Sequence, residues 1–336
     1  MSASIYDVAK KSGVSIATVS RVLNNPASVR EIKRNRVLEV MQELNYAPSP
    51  AAQSLALSTT GLIGLSMPAA PYSMFDSAYL LEFYHGVDII ISRSGYDVVV
   101  INENLAQSTK TDLRCYDYIR KKKLDGIIFP SVIPEEHELE TLLSSDFPLV
   151  YTGKALSVSG HHVYASLQEY VKNVGLHFYA HGHRRIGFLG CSNYQNAISA
   201  LCNTYPHAAF EAVFHSHYPE REEIEAAVRT LFFERGVTAC FIEAINIAPA
   251  ILSALQKAGL SVPGDISIAT VEHVPGAAAA LFLPLDAVYV PALEMGASCA
   301  NTLLCLLEGR APEKREITFH PQIIPRGSTA QLRAAP

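Results

Sequence analysis

The residues whose types and spacing could do chemistry on a partner sit near the start of the chain: Ser15, Thr18, Ser20, Arg21 and Asn24. An arginine can read a guanine edge through two parallel hydrogen bonds, and serine, threonine and asparagine side chains hold phosphate oxygens. Such groups act together only if one rigid element presents them. The spacing supplies that element: Val14, Val19 and Val22 face inward at helical period, which leaves Ile16, Ala17, Ser20, Arg21 and Asn24 on the outer face. Ser15 is a good N-cap for this helix. A first helix precedes it. Ser4 stands before Ile5 and three residues before Asp7, the spacing of a capping box, and Ile5, Val8 and Ala9 recur at helical period. Gly13 falls where a left-handed backbone turns the chain without steric cost. Two short helices around a tight turn are the grammar of a helix-turn-helix, which lays its second helix in the DNA major groove. The plainer alternative is an ordinary helical hairpin with a solvated face.

A third helix, roughly Arg30 to Glu43, carries Val37, Val40, Met41 and Leu44 on one side and Arg30, Lys33, Arg34 and Arg36 elsewhere. Pro48 and Pro50 stop it. The Ala-rich stretch beyond is long enough for one or two helical turns, too few to be stable alone. Leu55 within it is odd for a plain linker. On Tyr6-Asp7-Val8-Ala9, Gly13-Val14-Ser15, the run Ala17 to Asn24, the Leu44-Asn45-Tyr46-x-Pro48 run and Ala52-x-x-Leu55-Ala56, the chain resembles the LacI/GalR family of bacterial transcription regulators. The resemblance implies that 48–60 is a hinge segment whose helix orders on the operator and pairs in the minor groove. Leu55 would then wedge into the central base step with Ala52 beside it, the unstacking offset by bent, better-wrapped DNA. It also puts the base-reading pair on Ile16 and Ala17, where a thymine methyl contact fits better than a hydrogen bond. Tyr6 and Arg34 join the expected DNA-contacting set. Ser49-Pro50 departs from the family, which often has Asn after the hinge proline.

Charge divides the chain in the same way. The 336 residues carry a formal net charge of -5, yet residues 1–60 hold seven basic and four acidic side chains, and the remainder is acidic. A basic head on an acidic body suits phosphate binding by the head alone. No apolar run reaches membrane-spanning length and no signal peptide is evident, which points to the cytoplasm. The six cysteines lack CxxC pairing and read as reduced, mostly buried residues. Pairs such as His161-His162 and His181-Gly182-His183 match no zinc spacing, so neither metal nor cofactor is expected. The chain also lacks GxSxG, a P-loop, GxGxxG and HExxH, which argues against an enzyme.

From Gly61 onward, apolar runs alternate with amphipathic stretches. Gly61–Met67, Tyr96–Asn102, Gly126–Phe129 and Leu149–Thr152 read as buried strands, with helices over Asp76–Ser94, Lys110–Lys122 and Glu135–Leu143 between them. This βα order implies a parallel sheet with helices on both faces. The order then repeats, with helices at Ser166–Ala180, Glu222–Phe233 and Ile247–Ala258 and strands at Arg185–Leu189, Ala239–Ile242 and Ile266–Val271. A late helix at Ala292–Glu308 and a final strand at Glu316–Ile324 close the chain. The expected fold class is α/β: an all-α DNA-binding head (1–47), a hinge (48–60), and a two-lobed periplasmic-binding-protein-like body with parallel sheets (61–329). Lobe 1 takes about 61–160 and 291–325, lobe 2 takes about 161–290 and the C-terminus, and 330–336 is a tail. Hinged lobes of this kind close on a ligand.

The resemblance continues through His181–Gly190, Leu260–Ile268, Glu294–Gly296 and Ile324–Thr329, and implies an effector pocket at strand ends between the lobes. Here the chain departs from the family. Where members often have Asp it has Gly153 and Lys154. It lacks an arginine after Gly190, the usual Asn-Asp falls on Ala244 and Ile245, and the Asp-Asp falls on Glu272 and His273. Polyols need many directional hydrogen bonds, so the expected effector is carbohydrate-related but atypical, or absent. Candidate lining residues are Tyr72, Phe75, Asn102, Tyr151, Lys154, Asn193, Tyr194, Glu243, Asn246, Glu272 and His273. The partners expected are palindromic double-stranded DNA, a small molecule and a second copy of the chain, since no heptads follow Thr329 to build a larger oligomer. The function implied is an effector-controlled repressor that binds as a dimer. An effector-independent DNA-binding regulator is one alternative, and a small-molecule binding protein that has lost its DNA role is another.

Overall fold

A computed structural model describes residues 3–24, 26–46, 59–67, 77–103, 114–130, 142, 146–153, 160–190, 195–205, 207–214 and 219–332. The head is three helices, α1 (Ile5–Ser12), α2 (Ile16–Asn24) and α3 (Glu31–Glu43), with a 3-10 turn at Pro26–Ser28. Val8, Val19, Val22, Val37 and Val40 meet as its buried core, with Ile5, Val14, Met41, Leu44 and Tyr46 packed around them. Such a core is small, so the caps matter. Ser4 and Asp7 form the reciprocal capping box on α1, and Gly13 ends that helix at φ +70°.

The body holds two six-stranded sheets. The first is built from β1 (Leu62–Met67), β2 (Asp97–Asn102), β3 (Gly126–Phe129), β4 (Leu149–Thr152), β5 (His161–Ala165) and β11 (Glu316–Phe319), in the order β11-β5-β4-β3-β1-β2 and all parallel. The second is built from β6 (Arg185–Gly190), β7 (Ala209–Phe214), β8 (Ala239–Ile242), β9 (Ser267–Glu272), β10 (Asp286–Tyr289) and β12 (Gln322–Ile324), in the order β12-β10-β9-β8-β6-β7. Among its described strands, only β12 is antiparallel to its neighbour. Strands buried on both faces, such as β3, β4 and β8, are largely apolar runs because helices cover each side, while β9 is as buried but carries Ser267, Thr270 and Glu272.

Helices α4 (Ala78–Ile91), α5 (Arg114–Arg120) and α10 (Ala292–Leu307) accompany the first sheet. Helices α6 (Leu167–Ala180), α7 (Gln195–Thr204), α8 (Arg221–Val228) and α9 (Ala248–Lys257) accompany the second. α4 and α10 touch backbone to backbone. A Cβ added to Gly86 would lie 1.9 Å from the Leu293 carbonyl oxygen, and one added to Gly296 would lie 2.0 Å from that of Phe83.

Several elements differ from the sequence reading. β5 is not expected from the sequence and belongs to the first sheet, so that lobe extends past residue 160. The single strand expected over 316–324 is two, because His320-Pro321 breaks it, and β12 joins the second sheet. α7, β7 and β10 are likewise additions to the expected plan. The helix expected over 222–233 is α8 followed by a π-helical turn, Arg229–Glu234. The helix expected over 135–143 lies outside the described residues apart from Leu142. Among the described cysteines, Cys202 is exposed, against the expectation of burial, while Cys115, Cys240 and Cys299 are buried free thiols.

Candidate nucleic-acid interface and interlobe site

The outer face of α2 is built from the inside out. Val19 and Val22 are buried against α1 and α3, which fixes the helix's rotation. Ser15 starts it: its hydroxyl accepts from the Thr18 amide at 3.2 Å and pairs with the Thr18 hydroxyl at 2.9 Å. With that rotation set, Ile16, Ala17 and Arg21 are exposed, and Ser20 and Thr18 are half-buried. Ile16 is 40% and Tyr6 68% exposed, so their apolar surface is open to a partner. Arg34 is half-buried on α3, and a Lys11–Glu43 ion pair at 2.9 Å ties α1 to the end of α3. The groups brought to one surface are an arginine fork, two apolar contacts and hydroxyls at a helix start, the set that phosphate positioning and base-edge reading require. Asn24 closes α2, and Ala52 and Leu55 lie outside the described residues.

The strand ends between the lobes look different. Tyr72, Phe75, Lys154, Asn193 and Tyr194 lie outside the described residues. Tyr151 is fully buried inside the first lobe and stacks on His162 at 5.2 Å, so it does not line a cleft. Strand alternation is the reason: Thr152, next in β4, points the other way and donates to the Pro130 carbonyl. Glu272 is likewise engaged elsewhere. Its buried carboxylate accepts from the amides of Gly276 and Ala278 (2.6 and 3.0 Å) and pairs with Arg326 at 2.8 Å. It fastens the 273–285 loop and the C-terminal segment to the second sheet. Asn102 and Asn246 are exposed, and Glu243 is half-buried at the end of β8 beside Gly190.

His273 occupies the seam itself. Its ring meets Tyr79 of α4 edge to face, centroids 5.3 Å apart at 68°, and so joins the two lobes. The Tyr79 hydroxyl donates to the Pro130 carbonyl at 3.0 Å. Burial pushes the His273 imidazole down to about 4, against the opposing effect of a bond to the Val290 backbone, while Nδ1 is buried without a partner. Tyr79 is absent from the residues expected at the site, because within an apolar helix it reads as core.

Below the seam, Asp286 opens β10 as a buried carboxylate. It accepts from the amides of Arg326, Gly327 and Ser328 and from His177 Nε2 at 3.0 Å. Burial alone would raise its pKa, but the hydrogen bonds from His177 and from the Arg326 and Ser328 amides outweigh that and hold it well below the usual carboxylate range. Among the described residues there is no cluster suited to hold a metal ion, and no helix is long and apolar enough to cross a membrane.

Comparison with known proteins follows the same division. Residues 4–49 match the model for bacterial regulatory proteins of the lacI family, and residues 176–329 match a periplasmic binding protein-like domain. The HTH-type transcriptional repressor PurR of Photobacterium profundum is 27% identical, over 98% of this chain and 99% of that protein. The PurR repressor of Aliivibrio salmonicida is 28% identical, over 98% and 100%. Among solved structures, the Lac repressor dimer bound to operator and the anti-inducer ONPF superposes with a TM-score of 0.81 at 20% identity, covering 98% of this chain and 100% of that one. A transcriptional regulator CelR–cellobiose complex gives 0.64 at 21%, covering 97% and 99%.

Proposed function

The chain belongs to the lacI family of bacterial regulatory proteins, and on that premise we propose that it is a sequence-specific repressor that binds a palindromic operator as a dimer. The observation that carries this reading is the outer face of α2, where Ile16, Ala17 and Arg21 are exposed above a core that fixes their direction. Arg21 reads a guanine, Ile16 and Ala17 meet thymine methyls, and Tyr6, Ser15, Thr18, Ser20, Asn24 and Arg34 hold the backbone. Two-fold symmetry in the protein calls for a palindrome in the DNA. The relative solved as a dimer on its operator supports that symmetry for this chain. Ala52 and Leu55 act at the hinge, Leu55 as the minor-groove wedge.

The domain plan that goes with this reading is a head to residue 47, a hinge over 48–60 and a two-lobed body working in the cytoplasm. Binding of a small molecule between the lobes shifts the population of hinge arrangements and so the operator affinity. Its effector is not a typical free sugar, since Glu272, the acid the sequence offers there, is already engaged within the fold. That same engagement favours a second reading, a regulator whose operator binding needs no effector.

Selection of bound duplexes from random sequence tests the first claim. The expected outcome is an enriched palindrome, and failure to enrich one overturns it. Leu55→Ala is expected to weaken binding to that site while leaving non-specific binding nearly unchanged. Equal loss on both would show that Leu55 is no wedge. A thermal-shift screen against unmodified hexoses tests the effector claim, which a rise of several degrees would sink.

A further inference from the structure

Two lobes joined by chain crossovers keep a closed arrangement only if contacts between them favour it. Among the described residues the interlobe hydrogen bonds cluster at the crossovers. The Tyr289 hydroxyl lies 3.4 Å from the Glu294 carboxylate, Asn173 donates to the Pro321 carbonyl, and His320 pairs with Glu169 at 3.0 Å. One strand in from the Val290-Pro291 crossover, whose backbone His273 bonds, the ring contact that bridges the lobes is Tyr79 on His273. Tyr79 is set by its hydroxyl bond to Pro130 and by Phe83 one turn on, with ring centroids 5.9 Å apart. His273 extends from β9, whose last residue is the buried Glu272. Both rings are therefore mounted on rigid supports and meet at the seam.

We propose that Tyr79 and His273 form a latch that holds the lobes closed without a ligand, and that it holds only while the imidazole is neutral. The contact is edge to face between two uncharged rings, an arrangement favoured by their quadrupoles and by the apolar area they cover. A hydrogen bond to the Val290 backbone raises the ring's basicity, as donation by a ring N–H does, and Nδ1 is the nitrogen left without a partner. A second proton would have to sit on that buried Nδ1, where no acceptor meets it. Among the described residues no charge is placed to compensate it. Glu272 is bonded to Gly276, Ala278 and Arg326, Glu294 faces Tyr289, and Cys299 is a buried thiol kept neutral by its surroundings. Parting the lobes hydrates Nδ1, so that a second proton is accepted there as in an ordinary histidine.

The sign follows from linkage. In the closed form the imidazole titrates at about 4, against 6.5 for the free side chain. Closure is favoured fully above pH 6.5 and loses ground as pH falls from there toward 4. Between pH 8 and pH 5 the closed-to-open ratio should fall about 30-fold. This inference rests on reading the body as a two-lobed switch, and it concerns closure rather than operator binding.

The test is hydrogen–deuterium exchange of the full chain, followed in peptides covering 77–91 and 267–283 after correction for intrinsic exchange, at pH 8 and pH 5. Wild type is expected to lose protection in both segments at pH 5. His273→Phe keeps the ring contact without the proton and should stay protected at both values. Tyr79→Ala should be unprotected at both. His320→Gln removes the other imidazole at an interlobe crossover and should behave as wild type. Wild-type protection that does not change with pH overturns the latch, as does a His273→Phe protein that opens at pH 5 like wild type. Should His273→Phe fail to fold, the wild-type and His320→Gln profiles still decide. Operator affinity measured on the same samples separates the two ideas: exchange that moves without any change in affinity leaves the latch standing and removes the switch reading.

Discussion

The outer face of α2 and the seam between the lobes are both built by rigid elements, yet they present opposite chemistry. On α2 the core residues are valines, and the groups left outside, Arg21, Ile16 and Ala17, are exposed. At the seam most of the described polar groups are already committed to the protein, His273 Nδ1 being the exception. Glu272 holds a loop and an arginine, Thr152 and Tyr79 share the Pro130 carbonyl, and Asp286 gathers three backbone amides. A surface meant for a large, highly charged partner keeps its donors outward. A seam that meets itself satisfies them within the fold, because a buried polar group without a partner costs about 1–3 kcal/mol.

The contrast can be broken at several points. Glu272→Ala should have the largest effect, about 3–5 kcal/mol of body stability in urea unfolding, because it strands the largely covered Arg326 and two amides. A loss below about 0.5 kcal/mol would return Glu272 to the ligand-facing set, since surface positions behave that way. Arg21→Ala should leave body unfolding unchanged and cost about 1–3 kcal/mol of specific operator binding, read by titration of a selected duplex, with relaxed preference at one base pair.

Acid should act on the body through Asp286. Its folded-state pKa lies below that of the unfolded chain, so its stabilisation is complete above about pH 4 and is lost as pH falls through the folded value. The urea midpoint of wild type should therefore drop between pH 5 and pH 3 by more than that of Asp286→Asn. Ser15→Ala should cost the head about 1 kcal/mol by removing the α2 cap, seen as a lower head melting temperature with the body unmoved. Smallest of all, Ile16→Ala should cost under about 1 kcal/mol of operator affinity and mainly alter the preference for thymine, since it removes only a little apolar contact area.

The head is legible in the sequence because its determinants are local. Ser4 with Asp7, Gly13, and the valines at helical period lie within a few residues of the groups they position. Strands β3, β4 and β8 are legible to the residue, being apolar runs between turns. β5 escapes a sequence reading because His161-His162 opens it and only Val163 is fully buried. β10 escapes it because the strand starts with Asp286, a charge whose partners lie far along the chain. The seam is least legible for the same reason. Sequence offers Glu272 as a free acid until Arg326 is brought beside it, and Tyr151 as a lining residue until the pleat of β4 turns it inward.

The α4–α10 crossing has a mechanical meaning. At Gly86 and Gly296 the two helices lack any side-chain cushion, so neither can slide or roll past the other without backbone collision. They form one stiff strut. One end of it, the start of α10, follows the crossover that leaves β10 of the second sheet, and α4 carries Tyr79 in its first turn. A twist entering at Val290-Pro291 therefore reaches Tyr79 undamped. The two glycines leave the first lobe no slack to absorb it, so the crossover and the seam must move in step.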